Sequence, residues 1–236
     1  VIISTCSDIR LNIMKQVIKY NQFKYLLLEK FLFSKIKEYE IASNIIKKNN
    51  LKVFVNVWGK IILSKFSKII NKNKIKKIEI DCRSENLLTN LIHYYDFIFA
   101  LTKKKFTLNF HSDYEVVKSK RNRFTEINGT LSSLRQNKIQ ISTFKNINYH
   151  KFKIITDKKT YIIKINYDGN CKYYIDNKLI FKKSFPFSFL TTKKYFFKDL
   201  YSQKLTYFNN FETTSKLSIN ILLMLEKLLN KKLMIT

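Results

Sequence analysis

Glycine, proline and alanine are nearly missing: 236 residues include three Gly, one Pro and two Ala. A loop that cradles phosphate needs several glycines in close succession, so that backbone amides can approach the ligand. Gly59, Gly129 and Gly169 stand too far apart to form one, which sets nucleotide hydrolysis aside. Cysteine is equally sparse. Cys6, Cys82 and Cys171 show no CxxC spacing and no even framework, so neither a disulfide scaffold nor a zinc site is expected, and a reducing compartment fits. Asp96 interrupts the apolar stretch Tyr94–Leu101, and Glu226 and Lys227 interrupt the C-terminal one. No run therefore reaches the roughly 18 residues that a membrane span requires. The start, Val1-Ile2-Ile3-Ser4, does not read as a secretory signal, and no Arg- and Ser-rich presequence is seen.

Acids are the remaining deficit. Seventeen Asp and Glu face 45 Lys and Arg, a formal charge of +28, which points to a polyanionic partner. Lys, Asn, Ile, Phe and Tyr make up about half the chain, and all five have A/T-rich codons. An A/T-biased genome such as an organelle's explains part of the lysine excess and places the protein, as an expectation, in the mitochondrial matrix and encoded there. Drift of that kind does not remove acids. With 45% apolar and 15% aromatic residues the chain can still bury a core.

Periodicity divides the chain. Ile9, Ile13, Val17, Tyr25, Leu28, Phe31, Phe33 and Ile36 recur at helical spacing, predicting one long or two shorter amphipathic helices over Ser7–Lys48. A strand over Leu51–Val57, a helix over Ile61–Ile70 and a strand over Lys76–Asp81 form a β-α-β unit. A short helix at Leu87–Ile92, strands at Lys105–Phe110 and Phe124–Asn128, and an exposed loop at His111–Arg123 follow. From Lys138 to Phe185, alternating segments separated by Asp157-Lys158-Lys159, Asp168-Gly169-Asn170 and Asp176-Asn177-Lys178 predict an antiparallel meander. Leu190–Phe211 resists classification, and Thr214–Leu229 reads as a closing helix.

His93, His111 and His150 lie on different predicted elements with no acid or cysteine at ligand or triad spacing, so each reads as structural. Asp81 with Glu85, or Asp113 with Glu115, offers paired carboxylates, but no convergence on a pocket is visible. No catalytic residue, metal or cofactor is expected. The basic residues are more informative. Ten lysines, Lys65, Lys68, Lys72 and Lys76 among them, occupy the acid-free stretch between Glu40 and Glu79. A second cluster, Lys103, Lys104, Lys105, Lys118, Lys120, Arg121 and Arg123, brackets the polar loop. Arg121 and Arg123 are two of five arginines, and a guanidinium fork suits phosphate.

Along Lys77–Ile127 the order of features resembles the ribosomal protein ten family of the small subunit, in its divergent mitochondrial form. Ile78-Glu79-Ile80 is followed by Leu87-Leu88, then Leu101-Thr102-Lys103-Lys104-Lys105-Phe106-Thr107-Leu108, then Lys118-Ser119-Lys120-Arg121, then Phe124-Thr125-Glu126-Ile127. The family's turn proline and its Ser-Pro-His are missing, and Phe110-His111-Ser112-Asp113 stands roughly in their place. The resemblance implies a ferredoxin-like α+β core whose loop projects into folded ribosomal RNA, with Lys103–Lys105, Lys118, Ser119 and Arg121 on phosphates.

The expected architecture is thus α+β: a helical extension over 1–50, a ferredoxin-like RNA-binding core over 51–130, and a meander closed by a helix over 131–236. The expected function is a non-catalytic rRNA-binding component of an organellar small ribosomal subunit. Its expected partners are ribosomal RNA and neighbouring small-subunit proteins, with no small-molecule substrate and no membrane span. An accessory subunit of an organellar membrane complex is the alternative. A degenerate nucleic-acid enzyme would need Asp81, Asp113 or Glu115 around a metal.

Overall fold

The computed structural model describes residues 1–20, 22–66, 70, 75–84, 87–119, 124–133, 138–184, 189–202, 204 and 207–229. Strands and helices alternate through the first 56: β1 (Ile2–Ile3), α1 (Ser7–Tyr20), β2 (Tyr25–Glu29), α2 (Ile36–Lys48) and β3 (Lys52–Asn56). β1 pairs parallel with β2, and β2 parallel with β3. Two β-α-β units therefore stand where a helical extension was expected. The reason lies in β2, Tyr-Leu-Leu-Leu-Glu, whose three leucines are all buried. A parallel strand covered on both faces loses the alternation that marks a strand in sequence. Its apolar residues, with the buried turn Phe31–Phe33, imitate helical spacing. Helix α2 is fixed at its start by Glu38 Oε2, which accepts the Lys35 backbone N–H at 3.1 Å.

The chain then leaves this sheet. α3 (Gly59–Phe66) leads to β4 (Ile75–Arg83), which enters a second sheet, so β3-α3-β4 is a crossing between layers and not a unit within one. α4 (Leu87–Thr102) follows. It continues through the aromatic stretch and is buried on nearly every face. Next come β5 (Leu108–Phe110), β6 (Glu115–Lys118), β7 (Thr125–Asn128), β8 (Thr130–Ser133) and β9 (Ile139–Phe144). β10 (Tyr149–Thr156), β11 (Thr160–Asn166), β12 (Asn170–Ile175) and β13 (Lys178–Ser184) form an antiparallel meander, while β9, expected as its first strand, pairs parallel with β4 and is separated by it from β10. α5 (Phe189–Ser202), β14 (Asn209–Asn210) and α6 (Phe211–Leu229) close the chain, β14 adding antiparallel to β3.

The second sheet has eight strands in the order β13-β12-β11-β10-β4-β9-β8-β5, antiparallel except for the parallel pair β4–β9. This overturns the ferredoxin-like core. β4 carries a meander strand, β10, on one side and β9 on the other, so the meander continues the same sheet. β7, expected in one core with β4, pairs among the described residues with β6, inside the segment expected to be an exposed loop. One face of the large sheet is apolar: Ile78, Ile80 and Cys82 on β4, Phe152 and Ile154 on β10, and Ile163 and Ile165 on β11 are all buried. The helices cover this face. Among the described residues no layer of helix covers the opposite face, and the strands alternate apolar-in and polar-out as such sheets do.

Candidate functional site

Ligands in open parallel sheets bind beyond the carboxyl ends of the strands. In the small sheet those ends are Ile3, Glu29 and Asn56. Lys30 follows β2, and Trp58 follows β3. Glu29 is held between neighbours: Oε1 accepts the Lys30 backbone N–H at 2.9 Å and Oε2 accepts the Asn56 side-chain amide at 3.0 Å. Buried Arg10 on α1 donates to the carbonyls of Thr5, Phe31 and Leu32, tying the loop after β1 to the loop after β2.

Helix α4 aims its first turns at the same place. Lys30 Nζ donates to the Thr89 carbonyl at 2.5 Å, and His93 lies one turn further along, on the same helix face. The Trp58 N–H donates to His93 Nδ1 at 3.2 Å, and the two rings stack with centroids 4.3 Å apart. Because Nδ1 accepts, the neutral ring keeps its proton on Nε2. Burial, reinforced by the Lys30 charge and His150, pushes His93 well below the usual imidazole range, so it is a neutral donor. Glu126 on β7 is buried at the start of α4, where it accepts the Leu88 and Thr89 N–H groups at 2.8 and 3.0 Å and the Thr89 hydroxyl. Burial raises its carboxyl above the ordinary value; those donors and the Lys30 charge act against the rise. The helix N-terminus makes the carboxylate tolerable. His150 of β10 completes the wall. Its Nδ1 is 2.8 Å from the Tyr94 hydroxyl, Tyr167 packs edge-on against it, and burial pushes it down to about 4.

Beside this cluster, Asp96 Oδ2 accepts the Lys60 backbone N–H at 2.6 Å, and Oδ1 accepts the Asn209 side-chain amide. Asp96 thereby caps α3 from α4. Full burial pushes its carboxyl up to about 7, although both donors pull the other way.

The residues expected to bind RNA lie on several elements. Lys103, Lys104 and Lys105 are exposed just after α4, Lys118 is exposed on β6 with Ser119 half-buried behind it, and Lys76 on β4 pairs with Asp157 at 2.9 Å. Lys65 lies in α3, its side chain not described, while Lys68, Lys72, Lys120, Arg121 and Arg123 fall outside the described residues. Asp81 pairs with Lys151 at 2.7 Å, and Asp113 and Glu115 are exposed. Among the described residues no three His, Cys, Asp or Glu gather as a metal site, and no helix is long and apolar enough to cross a membrane. The cluster itself carried no signal: Lys30 is one lysine among many, and His93 and His150 converge only through the fold.

Neither a protein-family model nor a curated protein matches the chain. Solved structures do. A putative oxidoreductase of Bacillus subtilis aligns over 100% of this chain and 80% of its own, with a TM-score of 0.69 at 10% identity. A putative NADPH-dependent oxidoreductase of Desulfitobacterium hafniense gives 0.70 at 10% identity over 96% of this chain and 76% of its own. A super-repressor mutant of Gal80p from Saccharomyces cerevisiae gives 0.67 at 11% identity over 95% and 77%.

The chain shares the fold of these solved oxidoreductase and Gal80p structures. That finding overturns the ribosomal resemblance and the expectations built on it: an rRNA-binding, non-catalytic protein with ribosomal partners and no small-molecule ligand. The pieces that resembled the ribosomal family do not share a sheet here. Leu108 enters β5 at one edge of the large sheet, and Phe124–Ile127 leads into β7 in the two-stranded one.

A nicotinamide dinucleotide is the cofactor that this oxidoreductase fold suggests, and the glycines test the fit. Gly59 is packed against α4, where a Cβ would collide with the His93 carbonyl and the Phe97 amide. Gly129 (φ 141°) joins β7 to β8, and Gly169 (φ 87°) sits in the turn between β11 and β12. None is left for a pyrophosphate. The glycines of this sequence do not fit the phosphate side of such a site.

Proposed function

We propose that this chain is an oxidoreductase-type protein that binds a small hydroxy or oxo compound at Lys30 and His93. The convergence of Lys30, Trp58, Thr89 and His93 at the carboxyl ends of β2 and β3 carries this reading, because that edge is where such sheets take ligands. The Lys30 ammonium and the His93 Nε2–H are both donors, suited to one oxygen that carries, or is gaining, negative charge. Lys30 is the group able to give up a proton there, since the lone pair on His93 Nδ1 is committed to the Trp58 amide.

A panel of polyols, sugars and sugar nucleotides, UDP-N-acetylglucosamine included, tests the proposal by thermal shift. At least one should raise the melting temperature of the wild type and not that of Lys30→Met. The reading fails if no compound stabilises the wild type, or if Lys30→Met responds equally. The glycine placement favours a second reading for the same site: ligand sensing without turnover, in a fold that also serves the Gal80p repressor. Binding without consumption of the ligand would select it.

A further inference from the structure

The helix-free face of the eight-stranded sheet carries a line of lysines that strand register alone reveals. Lys151 on β10 lies opposite Lys164 on β11, Lys164 opposite Lys172 on β12, and Lys172 opposite Lys182 on β13. Four lysines thus cross four adjacent strands, their backbone positions set at the inter-strand spacing of about 4.8 Å. Asp81, opposite Lys151 on β4, ends the line and pairs with it at 2.7 Å. Lys164, Lys172 and Lys182 have no carboxylate in ion-pair reach among the described residues. Lys164 instead lies over the rings of Tyr149 and Tyr174, at 5.3 and 5.7 Å from their centroids.

Like charges directly opposite one another destabilise a sheet. Lysine on an edge strand has its own explanation, protection against edge-to-edge pairing, and that covers Lys178, Lys182 and Lys183 of β13. It does not cover Lys164 or Lys172, which lie on strands paired on both sides. A lysine-rich composition raises the number of lysines without aligning them. Two residues along β11 and β12, about 6.8 Å away, and three along β13, where the register shifts, runs an apolar line: Ile162 opposite Tyr174, and Tyr174 opposite Leu179. Ile162 is buried, whereas Leu179 and Ile180 are 42% and 46% exposed.

We propose that this face docks an acidic amphipathic α-helix of a partner protein, lying across β11, β12 and β13. Carboxylates at positions i, i+4 and i+7 of a helix span about 10.5 Å at 1.5 Å per residue. The three unpaired lysines span about 9.6 Å by the strand spacing. The exposed end of the apolar line, Leu179 and Ile180, receives the aliphatic residues beside the acidic stripe, which a nucleic-acid backbone would leave uncovered. A second copy of this chain would set one lysine line against another.

The test is fluorescence anisotropy with a labelled 16-residue helix-forming peptide carrying Glu at i, i+4, i+7 and i+11 and Leu on the adjoining stripe. Wild-type protein should bind it, less tightly as salt rises. The same peptide with Gln for Glu should bind at least ten-fold more weakly. Lys164→Glu with Lys172→Glu should lose at least ten-fold, while Lys104→Glu with Lys105→Glu, elsewhere on the surface, should not. A peptide with Lys in place of Glu should bind the Lys164→Glu/Lys172→Glu protein, a rescue that a misfolded variant could not give. Three results would overturn the proposal: equal binding by the ladder variant, displacement of the peptide by a single-stranded oligonucleotide that binds more tightly, or a wild-type dimer in sedimentation that the ladder variant dissolves.

Discussion

The two charged regions of this molecule treat charge in opposite ways. At the carboxyl edge of the small sheet, Glu126, His93, His150 and Asp96 are buried, and burial shifts each one's protonation, opposed at Glu126 and Asp96 by hydrogen bonds from fixed donors. On the open face of the large sheet, Lys164, Lys172 and Lys182 lie opposite one another, Lys172 and Lys182 exposed to water and Lys164 half-buried over two tyrosine rings. Burial makes a polar group dependent on the geometry of its partners. Exposure leaves it only weakly coupled and screened by salt. A small geometric change should therefore ruin the first region, and a small charge change should barely alter the stability of the second.

Gly59→Ala is the sharpest way to break the buried half, and it should have the largest effect. The new methyl group meets backbone on α4, which cannot rotate away. α3 must shift, pulling the Trp58 amide from His93 Nδ1 and the Lys60 amide from Asp96. The expected loss is about 3 kcal/mol or more, the upper end for overpacking, read from urea denaturation. A loss under about 0.5 kcal/mol, the range of ordinary surface changes, would show that the helices yield freely.

A second effect, smaller and opposite in sign at two positions, sharpens the buried half. Asp96 ionises near 4 when unfolded and at about 7 when folded. Between those values the folded chain holds a proton that the unfolded chain has lost, so this group's contribution to stability falls as pH rises. His150 titrates near 6.5 when unfolded and at about 4 when folded. There the unfolded chain holds the extra proton, so its contribution falls as pH drops. Denaturation curves from pH 4.5 to 7 should show Asp96→Asn steepening the acid loss and His150→Gln flattening it, each by roughly 1–3 kcal/mol across the window. Parallel profiles for the two variants would mean that these groups are not held as described.

The same contrast governs what could be read from sequence. Tyr149–Thr156 alternates between core and solvent at every residue, so the meander was legible. Tyr25–Glu29 is buried on both faces and does not alternate, so a central parallel strand looked like a helix. The site was hidden for a related reason. Lys30, His93 and His150 meet through the crossing of two sheets, which no local pattern announces, and the lysine line depends on a register between strands that spacing along the chain does not contain. Total charge was visible and was assigned to RNA. Its alignment on one face was not visible.

The smallest expected effect tests the exposed half. Lys172 has a lysine opposite it on each side, so Lys172→Gln removes two unfavourable pairs and no ion pair. At low ionic strength the variant should be more stable than wild type by about 0.5 kcal/mol, within the range for cross-strand pairs. Raising the salt to 1 M shortens the Debye length to about 3 Å, below the strand spacing, and should erase the difference. Lys151→Gln should act the other way, because Lys151 answers Asp81 as well as facing Lys164. If both variants were neutral at low salt, the lysines would be too mobile to feel one another, and the line would no longer be a place where a partner's carboxylates relieve repulsion.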